Sequence, residues 1–438
     1  MIYTLFGIIS ILLVISIVIY NRDMTAPAFL LVVSFWIAGL CACMYAKEWD
    51  FYNYKLALIV ITGLISFMVC SWISYALYKK GRKILKKKIE GISLPNAKLS
   101  IYLVFQIVLY VISLALMIRS IGLQNGLTTL IGSYYEMNKM GEQVYTSSLV
   151  SIGTILNFSG TYYVMYIAIN NIIAGEKNKK LLYINILVGV FGSLLNGTKS
   201  AFYMFIIGAF VMSVTQMSKK NGWKRNINLK SVIRACSIVA FLLLSFSAIN
   251  AAQGRTLNDV KVVDLLATYL GSPLKNLELF LNENYSKSKL FGEQTFLNIY
   301  SDIYERTGNG LYRIDSIYKY RWINGNGLGN VYTIFMPLYH DFGVAGSACV
   351  MGMMGFFAQH IYNKLKYRKK NPIVDFYMIF YSYLAFAVMF SFFSNKFFEC
   401  IVSKSVIYFL IGLWMFDLFF LRLHIKSGKI VIKKYVEI

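Results

Sequence analysis

His340 and Asp341 stand side by side where a polar stretch runs into a long apolar one, and such a pair can move a proton. A neutral imidazole accepts a proton near pH 7, and a neighbouring carboxylate can orient it or act as the base itself. The plainer alternative is that the two residues cap the start of the helix that follows, since Asp favours an N-cap. The other histidines, His360 and His424, lie close to Lys and Arg clusters. Three histidines and no Asp-x-Asp pair in the polar loops argue against a divalent metal. No loop of the form Gly-x4-Gly-Lys-Ser/Thr offers a nucleotide site. Neither a metal nor another cofactor is therefore expected. The six cysteines (41, 43, 70, 236, 349 and 400) lie in or beside apolar stretches and read as packing residues without a disulfide role.

The elements that must position His340 and Asp341 are membrane spans. Of 438 residues 57% are hydrophobic and 15% charged, against about 25% charged in a soluble domain. A helix needs ~20 apolar residues to cross the hydrocarbon layer. Ile2–Tyr20, Pro27–Ala46, Lys55–Tyr78, Ile101–Ile118 and Ser148–Ile172 meet that demand, as do Val232–Ile249, Val344–Leu365, Ile373–Phe393 and Val402–Leu421. The stretch between them reads as a hairpin, Leu181–Leu195 and Ala201–Met217, bent at Asn196-Gly197-Thr198-Lys199. The expectation is an all-α polytopic integral membrane protein of about eleven transmembrane helices with one long outer loop. Helices 1–8 occupy residues 1–249, the outer loop 250–342, and helices 9–11 with a cytoplasmic tail 343–438.

The net charge of +24 could suggest nucleic acid, but its distribution does not. Segments 21–26, 79–100, 173–180, 218–231, 364–372 and 422–438 hold 27 Lys and Arg against 4 Asp and Glu. The long segment 250–341 carries 9 of each sign. Basic residues gathered in short loops mark the cytoplasmic face and meet anionic lipid. Alternation then places the N-terminus outside and the C-terminus in the cytoplasm, in a membrane read as a bacterial plasma membrane. The first apolar segment lacks a basic region before it and exceeds the apolar length of a signal peptide, so it reads as a span.

Transporters keep short outer loops and place charges or broken helices at mid-membrane. Here the reactive residues are outside, which favours chemistry at the outer surface. Within the long loop, Asp264–Leu270 and Leu277–Leu281 have helical spacing, with Gly271-Ser272-Pro273 expected to punctuate between them. Its many tyrosines fit an interfacial belt, a sugar-binding surface, or both.

The loop ends in Gly329-Asn330-Val331-Tyr332-Thr333, then Pro337, then Asp341-Phe342-Gly343 and Gly346. This block resembles the "NVYT…P…DFG..G" block of Wzy-type oligosaccharide repeat unit polymerases, which make O-antigen and capsular polysaccharide. Asn196-Gly197-Thr198-Lys199-Ser200 resembles that family's "GSRS" turn, with Lys in place of Arg. Phe291-Gly292-Glu293-Gln294-Thr295-Phe296 resembles its "fG..tf" element. No clean Arg-x10-Gly repeat of the kind described in some members is found.

The resemblance implies a GT-C-like fold and a glycosyltransferase acting at the outer leaflet. A growing glycan would leave undecaprenyl pyrophosphate and join a newly flipped lipid-linked repeat unit. Its partners would be that lipid-linked oligosaccharide, membrane lipids, a chain-length regulator and a flippase, and no nucleic acid. A departing pyrophosphate gathers negative charge that fixed cations stabilise, Arg best of all. Arg255 and Lys199 emerge beside spans and lead the candidates, followed by Arg119, Arg306, Arg313 and Arg321. Arg255 joins His340 and Asp341 as a catalytic candidate, and Asn330 and Tyr332 join the substrate-binding cations. Two other readings stay open: a lipid-linked glycan ligase with the same chemistry and another acceptor, and a lipid-linked oligosaccharide flippase.

Overall fold

Apolar runs of span length fold as helices because, within lipid, each backbone N–H and C=O must find its partner inside the segment. The computed structural model describes residues 1–80, 82–123, 126–140, 147–196, 199–223, 245, 262–286, 288–369, 371–426 and 429–432, and it is mostly helical. Among the described residues, eight helices are long and apolar enough to cross a membrane: Ile2–Ile19, Pro27–Met44, Tyr54–Lys79, Asn96–Ile121, Ser148–Ala174, Ser200–Lys220, Phe335–Lys366 and Lys404–Arg422. Two shorter apolar helices, Lys180–Leu195 and Phe376–Phe392, fall where the sequence places spans. The expected span Val232–Ile249 lies outside the described residues. The chain divides into two compact units.

One unit comprises Met1–Ile84, Val260–Arg368 and Leu384–Ser403. Its helices Tyr54–Lys79 and Phe335–Lys366 approach so closely that a Cβ on Gly355 would stand 2.3 Å from the Phe67 carbonyl oxygen. Ser66 Oγ donates to the Ala348 carbonyl at 2.6 Å across the same contact. Small residues at such a seam let two backbones meet where lipid supplies no hydrophobic drive. At one end of this pair, Lys366 and Tyr362 both reach buried Asp23, at 2.8 and 2.6 Å.

Two features of this unit differ from the sequence expectation. Val262–Leu281 is one helix with Pro273 inside it, not two helices parted at Gly271-Ser272-Pro273. Packing outweighs the local breakers: a Cβ on Gly271 would lie 2.8 Å from the Ala42 backbone nitrogen, so the helix rests directly on Pro27–Met44. Buried Glu278 then accepts from the amides of Tyr52 and Asn53 at 2.7 Å each. The second difference is the end of the long loop. Residues 335–342, expected in that loop, are helical and continue into the span across a kink at Gly343. With φ 66° and ψ −167°, Gly343 holds a conformation that only glycine adopts readily. A short hairpin, Arg321–Ile323 with Asn326–Gly329, precedes that helix.

The other unit comprises Leu85–Asp259, Lys369–Tyr383 and Lys404–Ile438. Its core carries a polar cluster in which the Tyr102 hydroxyl and the Gln106 amide both donate to Asn157 Oδ1 at 2.9 Å. Buried Lys219 and Asp375 pair at 2.7 Å. A second hairpin, Leu423–Lys426 with Lys429–Ile432, falls in the expected cytoplasmic tail.

Within each unit, loops that the charge pattern assigns to one face meet each other. Lys87 and Lys219 join through a backbone hydrogen bond, Asn170 reaches the Glu90 carbonyl, and Lys220 reaches that of Ile173. On the opposite assignment, Asn395 donates to the Thr295 carbonyl and Asn324 to that of Glu48.

Candidate active site

The helix that starts at Phe335 carries His340 and Asp341 just before the Gly343 kink. Their side chains are buried, 3% and 0% exposed. Asp341 is not the N-cap of its own helix, which begins six residues earlier. Its carboxylate instead accepts from the amides of Gln294, at 3.1 Å, and Thr295, at 2.7 Å, just ahead of the helix Leu297–Thr307. It thereby ties the Phe291–Phe296 element to the Tyr332–Gly343 block.

Ser288 completes this cluster. Its hydroxyl donates to Asp341 Oδ1 at 2.6 Å and lies 3.0 Å from His340 Nδ1. His340 Nδ1 is also 3.0 Å from Asp341 Oδ1. Because the serine proton goes to the carboxylate, both contacts of Nδ1 are satisfied when that nitrogen carries the proton. Nε2 then holds the lone pair, and it hydrogen-bonds to none of the described residues. A hydrolase triad would place serine on Nε2 and the carboxylate on Nδ1. Here both partners crowd Nδ1, so Ser288 orients the imidazole and is not a nucleophile activated by it.

A second cluster adjoins the first through aromatic rings. Tyr285 stacks on Phe280 with centroids 4.2 Å apart, and each ring lies 6.4 Å from that of His340. The Arg321 guanidinium uses Nε on the Tyr332 hydroxyl at 2.7 Å, one amino group on the Tyr285 hydroxyl at 3.0 Å, and the other on Glu283. The Tyr285 hydroxyl in turn donates to Glu283. Lys319 stands 3.7 Å from the same carboxylate and 5.3 Å from the Tyr285 ring centre. The bond from Arg321 holds the Glu283 carboxyl below its ordinary range, with help from Tyr285 and Lys319. Burial, then Glu283, pushes the Tyr285 phenol up to about 12. Burial opposes the charge on Arg321, but Glu283 and Tyr332 outweigh it and strengthen its hold on the proton.

The structure therefore brings His340, Asp341, Arg321 and Tyr332 together. Asn330 sits beside them in an exposed bend. Buried Asn276 fixes that bend by donating to the carbonyls of Leu328, Gly329 and Val331. Arg306, at the end of the Leu297–Thr307 helix, and Arg313 are exposed and form no ion pair with a described residue. Arg119 is exposed in the last turn of Asn96–Ile121. Lys199, at the N-cap of Ser200–Lys220, is buried, with 8% exposure. Arg255 lies outside the described residues. Ser288, Glu283 and Lys319 escaped sequence reasoning. Ser288 and Glu283 lie about forty residues or more before the 329–346 block and Lys319 ten before it, and no spacing rule connects a lone Ser, Glu or Lys to it.

Among the described residues, no group of three or more His, Cys, Asp or Glu side chains could hold a metal ion. Comparison with protein-family profiles, with curated proteins and with solved structures finds no match to this chain.

Proposed function

We propose that the protein is a glycosyltransferase at the outer face of a bacterial plasma membrane, lengthening lipid-pyrophosphate-linked oligosaccharide repeats into surface polysaccharide. One observation carries this reading. An imidazole with Nδ1 fixed and Nε2 bonded to none of the described residues stands near the start of a helix able to span the membrane, one ring away from a cation–tyrosine cluster. Those are the groups that transfer from a lipid pyrophosphate requires.

In this reading His340 Nε2 takes the proton of the acceptor hydroxyl as that oxygen bonds to the anomeric carbon of the donor. The bond from that carbon to pyrophosphate breaks, and the departing oxygen keeps the electron pair. Arg321 and Lys319 face the charge that develops there, Arg321 largely buried and bonded to Tyr332 and Glu283, Lys319 exposed beside the same carboxylate. Arg255 and Lys199 are cations that the family resemblance nominates, each tested by its own substitution. Asp341 and Ser288 set the tautomer and the angle of the imidazole. The energy resides in the glycosyl–pyrophosphate bond, so no nucleotide enters the step. The GT-C-like architecture and the N-outside orientation belong to the same proposal.

Deleting the gene tests this reading in cells. Loss of a polymerase leaves surface or lipid-linked glycan with a single repeat unit and no ladder of longer chains. Long glycan still bound to undecaprenyl pyrophosphate would instead identify a ligase. Single units trapped on the cytoplasmic side, beyond reach of an external glycosidase, would identify a flippase.

A further inference from the structure

Against the Phe291–Phe296 element lies a cavity of about 40 Å3. Gln294 to Asn298, Tyr318, Asn395, Phe398, Glu399 and Val402 line it. Two of its rings, Phe296 and Phe398, meet edge to face at 5.4 Å. Asn395 is 4% exposed, and its amide nitrogen donates to the Thr295 carbonyl at 2.8 Å, which fixes the orientation of the amide. Its Oδ1 is sealed from solvent and has no hydrogen-bond partner among the described residues. Leaving a buried acceptor unpaired costs about 1–3 kcal/mol, so the fold holds Asn395 here at a loss for its bond to Thr295. The Tyr318 hydroxyl also bonds to none of the described residues. Burial, then the Glu399 and Asp341 charges, pushes this phenol well above its ordinary value, so it is a permanent donor.

The charge of the cavity narrows the class of occupant. Glu399 already pairs with Lys396, which leaves no net negative charge to attract a cation. A carboxylate in the wall repels an anion. What remains is a neutral ligand with several hydroxyls, offering a donor to Glu399, an acceptor to Tyr318, and C–H surface to the two phenylalanines.

We propose that the cavity takes one edge of a sugar ring and is a saccharide subsite beside the His340–Asp341 cluster. The choice of a sugar over another hydroxylated molecule rests on the glycosyltransferase reading; the unbonded Tyr318 hydroxyl and the cavity do not. The subsite is linked to the cluster directly, because Thr295 gives its carbonyl to Asn395 and its amide to Asp341. A ring seated there would bear on the segment that holds the imidazole partner in place. The alternative occupant is ordered water, of which the volume admits about three at ~10–15 Å3 each.

The test uses the full chain in detergent and saturation-transfer NMR with methyl glycosides of glucose, galactose, mannose, rhamnose, N-acetylglucosamine and N-acetylgalactosamine. At least one glycoside is expected to bind. Tyr318→Phe should weaken that binding about tenfold, the equivalent of one hydrogen bond. Its melting temperature should be unchanged or higher, because the hydroxyl it removes is unbonded. Val402→Phe, which fills the cavity, should abolish binding. If no glycoside binds, or if binding is the same in both variants, the cavity holds water only and the proposal is overturned. The two readings fail separately. Glycoside binding that depends on Tyr318 in a protein that never lengthens a lipid-linked repeat would sink the polymerase and leave the subsite. Lengthening with no such dependence would do the reverse.

Discussion

His340 Nδ1 lies 3.0 Å from Asp341 Oδ1, and the Ser288 hydroxyl donates to that same oxygen at 2.6 Å. His340 Nδ1, Asp341 Oδ1 and Ser288 Oγ thus close a triangle, and Nε2 hydrogen-bonds to none of the described residues. The arrangement separates a base from the groups that aim it, and three substitutions distinguish their roles. His340→Gln preserves size and hydrogen bonding but removes basicity. It should lower the rate of chain lengthening about 10²-fold or more, with little change in melting temperature. Ser288→Ala should cost about tenfold, whereas loss of a nucleophile would cost on the order of 10⁴-fold or more. Asp341→Asn should lower stability as well as rate, since it disturbs the acceptor of the Gln294 and Thr295 amides. Rates measured beside melting curves separate the three. A Ser288→Ala variant as dead as a nucleophile mutant would refute the geometry argued for the ring.

Arg321 and Glu283 give a pH-dependent expectation. Glu283 titrates below its ordinary value because Arg321 donates to it. A depressed carboxyl contributes stability above its unfolded pKa of ~4.3, and that stability fades as pH falls through the lower native value. Glu283→Gln should therefore melt below the wild type at neutral pH. The gap should close as the medium is acidified past the ordinary carboxylate range. A gap that persists or widens in acid would mean that the ion pair contributes nothing.

The cations are tested by activity. Arg321→Ala, Arg255→Ala and Lys199→Ala should each cut polymer formation tenfold or more, from loss of about 2–4 kcal/mol of transition-state stabilisation. Lys199→Arg should keep activity. Normal polymer from an alanine variant at normal membrane abundance would remove that residue from the site.

The topology can be mapped in a cysteine-free background. Ser286 and Asn96 are both exposed in the structure, and the charge pattern assigns them to opposite faces. Single cysteines there should react differently with an impermeant maleimide on intact spheroplasts, the one at 286 labelled and the one at 96 not. The opposite labelling would invert the orientation.

The spans were legible in the sequence because an apolar run of fixed length has one solution in lipid. Eight long helices, and two shorter ones such as Phe376–Phe392, stand where apolar runs put them. The basic segments around Lys87, Glu90, Ile173 and Lys219, grouped by charge in the sequence, meet one another. Breaker residues misled at Gly271-Ser272-Pro273. There, smallness serves a tight contact with Ala42 and the helix runs on. The helical start at Phe335 was hidden for a related reason: Pro337 and Gly343 read as loop residues, yet one sits in a first turn and the other at a kink. Of the site, His340, Asp341, Arg321 and Tyr332 could be found from residue type and local pattern. Ser288 and Glu283 could not, because only the fold brings them to the 321–341 segment.

The most direct measurement uses purified protein in detergent, lipid-pyrophosphate-linked single repeats from the native glycan, and no nucleotide sugar. Reaction products are separated by size, and the released lipid pyrophosphate is quantified. The expected result is a ladder of longer lipid-linked chains, one undecaprenyl pyrophosphate released per linkage formed, and no inhibition by a chelator. Folded wild-type protein that releases no lipid pyrophosphate and leaves the single repeats unlengthened would contradict the polymerase reading.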